Sequence, residues 1–307
     1  MYLINWKYKP VMAIIDAIGS VVYCLRRRTL PKNPKKVLFM RLEHIGDMVM
    51  ATPVFETFKT NNPNCQVHVL CRGLTAPILN NNPYVDKVIE FDAPWLSSTY
   101  KSTGKNQKEI IKELKEENYD IIFEMHGDPR SLCFANELKS FVIGYTCRGF
   151  GFLCNKKVKY NPTIPNINQN LALIKDYCTT LYEKPKIFQD PLFVNRSYVK
   201  GHYIIINPRS GKREKDLTDD EIYKLIALNI PVIITGSTDD IENNKKFDKF
   251  TNVTNLTGKT DLLTLIELTR QAQKVYCPDT GIMHIAYAVG TQCDASFKTT
   301  DKSIWGY

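Results

Sequence analysis

The sequence predicts an α/β protein made of two doubly wound domains, and three observations predict it. At 307 residues the chain exceeds one typical core, so two domains are the natural division. Short apolar runs of buried-strand type alternate with amphipathic stretches, which implies mostly parallel sheets with helices on both faces. Two strand–turn–helix segments of matching type also stand one early and one late: Val37 to Pro53, VLFMRLEHIGDMVMATP, and Tyr276 to Thr291, YCPDTGIMHIAYAVGT.

Residues 1–35 precede the first strand and form an amphipathic, basic extension. Val11 to Leu25 is mostly apolar, interrupted by Asp16 and followed by Arg26, Arg27 and Arg28. It is too short and too interrupted for a spanning helix, which needs ~20 apolar residues. It lacks a small-residue cleavage site after its apolar part. A helix lying on a membrane surface and a helix packed on its own domain are both open readings.

The first domain is expected over 36–165. Its strands fall at 37–41, 66–70, 87–91, 119–123 and 141–144, and its helices at 47–60, 73–80, 105–117 and 130–138. Ligands of such sheets bind beyond the carboxyl ends of the strands. Asp47, Arg72 and the loop His126-Gly127-Asp128-Pro129-Arg130 all follow predicted strands. Arg72 and Arg130 could hold acceptor phosphates or carboxylates, or simply form salt bridges. Residues 151–200 are rich in Asn, Pro and Lys, with one helix expected near 168–182, and 166–200 reads as linker and junction.

The second domain is expected over 201–307. His202 to Asn207 is a buried strand, and Pro208 to Lys215 is a polar loop with four cations. A basic loop at the carboxyl edge of a strand suits a diphosphate, though a solvated charge run looks the same. Thr218 and Glu221 make a capping box for the next helix. A strand at 231–235 leads to Gly236-Ser237-Thr238-Asp239-Asp240. These acids could pass for metal ligands, but capping of a helix over 239–249 explains them equally well. A strand at 253–257, a helix at 261–271 and a strand at 274–277 follow. Asp279 and Thr280 both suit an N-cap, Gly281 lets the backbone approach a ligand, and Ile282, Ile285, Ala286 and Val289 recur at helical spacing. Such a helix start carries unpaired N–H groups and a partial positive charge, and can hold a diphosphate. Asp47 sits in the matching early turn, where capping is the commoner use of such a residue.

Composition narrows the function classes. Hydrophobic content of 43% and charged content of 24% are those of a soluble globular protein. The net charge of +9 points to an anionic partner: a nucleotide, a phosphorylated glycolipid or an acidic membrane surface. No helix-turn-helix, RNP or zinc-finger pattern supports nucleic acid as that partner. Nine scattered cysteines without C-x-x-C spacing argue against a zinc site or a disulfide framework, and fit reduced thiols in a cytosolic setting.

The pair R-x-x-x-I-G-D-x-V-x-x-T-P and D-T-G-x-M-H-x-A-x-A-x-G-T resembles glycosyltransferase family 9, the ADP-heptose:lipopolysaccharide heptosyltransferases. The resemblance runs from about Lys36 onward. It implies the GT-B architecture, two Rossmann-like domains facing a central cleft, with acceptor bound by the N-terminal domain and nucleotide sugar by the C-terminal one. It implies inverting transfer of a heptose or related sugar from an ADP-sugar to a lipid-linked, lipopolysaccharide-core acceptor, with no metal or other cofactor. The setting it implies is cytoplasmic, with peripheral contact to the inner membrane.

Residue by residue, Asp47 matches the family's proposed general base. Lys215 falls on its donor-binding lysine and Ser210 on the preceding hydroxyl position, with Lys212 and Arg213 near enough to compete for the lysine's role. Asp279, Thr280, Gly281 and His284 match the D-T-G-x-x-H contacts to nucleotide and sugar. Asp240 stands where the family usually has a ribose-binding Glu, which keeps the charge and shortens the reach. Lys215 is followed by Asp216-Leu217-Thr218 rather than the usual Arg-Trp-Pro. The family usually continues a few dozen residues beyond Trp305-Gly306-Tyr307, so a shortened tail would weaken domain closure and activity. Transfer from another nucleotide sugar to a different surface glycan, and a non-catalytic membrane-associated binding role, are the alternatives.

Overall fold

The computed structural model describes residues 3, 5–24, 28–96, 106–190 and 202–307. Arg26, Arg27 and the 191–200 part of the expected linker lie outside the described residues. The chain divides into two compact units. One comprises Met1–Glu43, Ala51–Leu79 and Pro83–Glu183, and the other His44–Met50, Asn80–Asn82 and Lys184–Tyr307. The early turn bearing Asp47 therefore belongs to the same unit as the Asp279-Thr280-Gly281 turn.

The first unit is built on a six-stranded sheet of β1 (Lys36–Arg41), β2 (Gln66–Cys71), β3 (Lys87–Glu90), β4 (Ile121–Glu124), β5 (Phe141–Tyr145) and β6 (Lys156–Val158). The order is β3-β2-β1-β4-β5-β6 and every pairing is parallel. Such strands are covered on both faces, which is why Val37–Met40 of β1 and Ile121–Phe123 of β4 read as unbroken apolar runs rather than alternating ones. Phe39 stacks on Phe123 with ring centroids 4.6 Å apart, Phe58 meets both edge-on, and Phe55 meets Phe39 edge-on.

The second unit holds a five-stranded sheet of β7 (Ile204–Ile206), β8 (Val232–Ile234), β9 (Val253–Asn255), β10 (Lys274–Pro278) and β11 (Gln292–Ser296). Its order is β11-β10-β7-β8-β9, again parallel throughout. In both sheets the strand order reverses beside the first strand, which places a ligand crevice at the carboxyl ends there. The polar edge strand β11, QCDAS, has no apolar run to announce it.

Several helices differ from the sequence expectation, each for a local reason. The expected helix over 47–60 is two helices, α2 (Ile45–Val49) and α3 (Thr52–Asn61). Pro53 has no N–H to continue the ladder and serves instead in the first turn of α3. The stretch 73–80 contains only a 3-10 turn, Ala76–Leu79. The helices over 105–117 and 130–138 are present as α4 (Gln107–Glu116) and α5 (Pro129–Glu137).

The helix expected at 168–182 shrinks to α6 (Asn166–Leu171). Side chains of α3 take over the backbone groups that a longer helix would have paired. Thr57 Oγ1 accepts from Tyr182 N–H at 2.9 Å, Asn61 Oδ1 accepts from Thr179 N–H at 3.0 Å, and Asn62 Nδ2 donates to Tyr177 O at 3.1 Å. The capping box opening α7 (Asp219–Ile226) is formed, with Thr218 N–H donating to Glu221 Oε2 at 2.6 Å. The expected helix over 239–249 is a 3-10 turn at Thr238–Asp240, then α8 (Ile241–Asn244), then a second 3-10 turn at Lys245–Phe247. The last helices of the site region are α9 (Leu262–Gln271) and α10 (Gly281–Val289), followed by α11 (Lys302–Trp305).

Candidate active site

Strand β7 delivers the basic loop 208–215. The loop folds around Asp216, whose Oδ1 accepts Ser210 N–H at 2.8 Å and Ser210 Oγ–H at 3.2 Å. Leu217 N–H closes it on Pro208 O at 3.0 Å. Arg209 lies 3.5 Å from Asp216 and 3.6 Å from Asp219, so its charge is spent on the loop's own acids. Lys212 and Arg213 are exposed. Lys215 is half-buried and reaches across to Asp279, with Nζ 3.0 Å from Oδ2. Of the three cations considered for donor binding, Lys215 is the one that the fold ties to the Asp-Thr-Gly turn.

That turn joins β10 to α10. Asp279 is buried, and its Oδ2 also accepts Thr300 Oγ–H at 2.5 Å. Thr280 holds the N-cap position with φ −147° and ψ 175°, and its hydroxyl donates back to Pro278 O at 3.2 Å. The Thr280 side chain therefore does not cap the first turn of α10, where Met283 N–H donates to Thr280 O at 3.1 Å. A Cβ built on Gly281 would lie 3.0 Å from Ile45 Cγ2. A Cβ built on Gly46 would lie 2.6 Å from His284 Cδ2 and 3.1 Å from its Nε2. The two glycines thus permit the close crossing of α2 over α10 that sets Asp47 beside the helix start.

Asp47 is partly exposed, and its Oδ2 accepts His44 N–H at 3.2 Å, so the carboxylate does cap α2. His284 lies beneath it in α10, with Nδ1 paired to Tyr307 Oη at 2.7 Å. Burial brings the His284 ring down to about 4, a fall only partly opposed by the charges of Asp279 and Asp47. His284 is therefore neutral near pH 7, and it offers the turn an uncharged hydrogen-bonding ring.

Asp240 sits apart from these groups at the end of β8. Its Oδ2 accepts Ser237 N–H at 2.8 Å and Ser237 Oγ–H at 2.7 Å. The side chain therefore performs the capping considered from sequence. Among the described residues no group of three or more His, Cys, Asp or Glu is arranged to hold a metal.

In the first unit, Arg72 is buried with Nε 3.5 Å from Asp92. Arg130 forms a two-pronged pair with Asp128, Nε to Oδ1 at 2.9 Å and Nη2 to Oδ2 at 2.8 Å, while Nη1 donates to Trp95 O at 3.0 Å. Both arginines considered for acceptor binding carry the salt bridges weighed as their plainer role. More than half of the Arg130 side chain remains exposed.

Sequence reasoning missed a buried charge network beside them. Arg41 Nε lies 3.2 Å from Glu43 Oε2, and His126 Nδ1 lies 2.6 Å from Glu43 Oε1. Burial alone would raise the Glu43 carboxyl, but Arg41 and His126 together hold it below the ordinary range. Glu124, at the end of β4, is fully buried and accepts Gly127 N–H at 2.5 Å. Burial, reinforced by the Glu43 charge, pushes it up to about 8. The only sequence signal for this network was an acid at the end of each of two apolar runs.

Glu124 makes stability depend on pH. Its folded value lies above the unfolded one of 4.5, so the folded state holds the extra proton between the two. Its contribution is complete below pH 4.5 and declines as pH rises toward 8. Glu124→Gln keeps the acceptor for Gly127 without the proton. The variant should match the native chain in thermal melts below pH 4.5, gain on it steadily as pH rises, and level off above pH 8. A Tm difference that does not change with pH would contradict this assignment.

The family model described as glycosyltransferase family 9 (heptosyltransferase) matches residues 108–306, more than half of the chain. Lipopolysaccharide heptosyltransferase 3 of Escherichia coli K12 is 26% identical over 294 residues, spanning 86% of this chain and 83% of that protein. Among solved structures, the ADP-heptose lipopolysaccharide heptosyltransferase II of E. coli superposes with a TM-score of 0.72 at 18% identity, over 88% of this chain and 87% of that one. The E. coli heptosyltransferase WaaC, solved with ADP-2-deoxy-2-fluoro heptose, gives 0.70 at 18% identity, over 87% and 90%. The chain is an enzyme of the glycosyltransferase class with a GT-B fold of two Rossmann-like units, and it belongs to glycosyltransferase family 9.

Proposed function

We propose that the chain transfers a heptose, or a closely related sugar, from an ADP-sugar to a lipopolysaccharide-core acceptor, with inversion and without a metal. The observation that supports this reading is the close crossing of α2 and α10 at Gly46 and Gly281, with the Asp47 carboxylate adjoining it. An acceptor hydroxyl oxygen bonds to the anomeric carbon as the bond from that carbon to the diphosphate oxygen breaks. The hydroxyl proton goes to the Asp47 carboxylate. The bonding pair leaves with ADP, whose new charge meets Lys215, the exposed Lys212 and the N–H groups at the start of α10. Attack opposite the leaving group inverts the centre in one displacement. Ser210 shapes the basic loop, and neutral His284 supports the turn on which the sugar rests.

The names of the relatives support ADP-heptose and lipopolysaccharide as the substrate pair. A thermal-shift screen with ADP-heptose, GDP-mannose and UDP-glucose tests the donor. ADP-heptose should raise Tm well above the other two, because a ligand that prefers the native state stabilises it by mass action. Asp240 is the residue that makes the screen necessary, since its short side chain is already engaged by Ser237. A shift with UDP-glucose or GDP-mannose alone would move the chain to another nucleotide sugar and a different surface glycan.

A further inference from the structure

The N-terminal helix α1 (Lys9–Tyr23) is inside out. Its protein-facing stripe is Met12, Asp16, Gly19 and Tyr23. Met12 lies over Gly149, and the Phe152 ring lies over Gly19, where a Cβ would not fit. Tyr23 packs on Phe152 with centroids 5.3 Å apart. The opposite stripe is Val11, Ile14, Ile15, Ile18, Val21 and Val22, at helical spacing within an arc of roughly 120°. Those residues are the exposed ones: Ile14 and Ile18 are 61% exposed and Val21 is 73% exposed. Trp6 and Tyr8 continue the apolar surface at the helix start, with Trp6 73% exposed. An unbroken aliphatic stripe of this kind in water marks an interaction surface.

A second observation identifies the partner. Against the other end of α1 opens a cleft of about 900 Å³ whose lining includes Ser20, Arg28, Lys139 and Lys157. No carboxylate is among its described lining residues. Arg28 is anchored there by a hydrogen bond to Lys139 O. An apolar ridge with aromatic residues at one end and a basic cleft at the other matches a bilayer of anionic phospholipid. The ridge enters the acyl boundary and the cleft takes a phosphate headgroup. The helix spans about 22 Å from its 15 residues, short of the ~30 Å hydrocarbon layer, so it lies in the interface rather than crossing it.

We propose that α1 and the Arg28–Lys139–Lys157 cleft together form a docking surface for an anionic phospholipid membrane. This inference does not rest on sugar transfer, and its test contains neither donor nor acceptor. The full chain is sedimented with vesicles of phosphatidylcholine alone and of phosphatidylcholine mixed with phosphatidylglycerol. It should partition to the mixed vesicles, and less so as salt is raised. Ile14→Asp with Ile18→Asp should lower the partition coefficient roughly a hundredfold or more. Arg28→Gln with Lys139→Gln and Lys157→Gln should lower binding to the mixed vesicles on the order of a hundredfold, toward the level for phosphatidylcholine. These positions are on the surface, so thermal melts should stay within a few degrees of the native chain and certify the fold. Absence of native-chain binding, or binding unchanged in both variants, overturns the proposal. So does a concentration-dependent dimer, abolished by the aspartates, in a protein that ignores vesicles: the ridge would then belong to a second copy.

Discussion

Asp47→Asn should abolish most of the transferase activity while leaving the fold and donor binding in place. The substitution keeps an oxygen that can accept His44 N–H, so the cap of α2 survives. The variant also keeps the packing at Gly46, where the backbone comes within reach of the His284 ring. What it loses is a group able to take the acceptor hydroxyl proton as the new bond forms. Loss of a positioned general base lowers kcat by about 10²–10⁴-fold. The Tm rise caused by ADP-heptose should stay that of the native enzyme, because the proposed donor contacts are those of Lys215 and the start of α10, not of Asp47. A fall in kcat without a matching rise in KM separates lost chemistry from lost binding. If Asp47→Asn turns over within about threefold of the native chain, Asp47 is a helix cap and the proposed mechanism fails.

The features legible in sequence were those encoded by neighbours in the chain. The apolar runs of β1, β4 and β7 are unbroken because parallel strands are covered on both faces, and no alternation had to be disentangled. The Thr218–Glu221 box announces itself through cap residues at fixed spacing, whereas Thr280 takes the N-cap position of α10 with its side chain turned back to Pro278 O and Asp279 pairs with Lys215 and Thr300 instead of capping. Distant partners were invisible. Asn61 and Thr57 replace the later part of the helix expected over 168–182 by binding backbone groups more than a hundred residues away. The pairing of Glu43 with His126 depends on β1 lying beside β4, which no local pattern specifies. The inversion of α1 was hidden for a related reason. Periodicity locates an apolar stripe, but Phe152 and Gly149 decide which stripe the protein covers.

Lys215→Met should damage the enzyme twice, and the two effects can be separated. Lys215 and Asp279 form a largely buried pair, with side chains 15% and 7% exposed. Removing the cation leaves the Asp279 carboxylate with Thr300 Oγ but without its charge partner. Breaking a buried pair from one side costs about 3–5 kcal/mol, because the remaining charge cannot return to water. That loss corresponds to a Tm drop of roughly 10 °C in a chain of this size. Under the proposed mechanism the donor loses its cation as well, so the stabilisation by ADP-heptose should largely disappear and KM for the donor should rise. Adding Asp279→Asn removes the stranded charge. The double variant should therefore recover most of the lost Tm, a coupling expected of two side chains in direct contact. It should still bind donor more weakly than Asp279→Asn alone, since the proposed cation beside the diphosphate has not been restored. If the double variant instead binds and turns over donor as well as Asp279→Asn does, Lys215 serves only to neutralise Asp279. The departing diphosphate would then be held by Lys212, Arg213 and the first turn of α10.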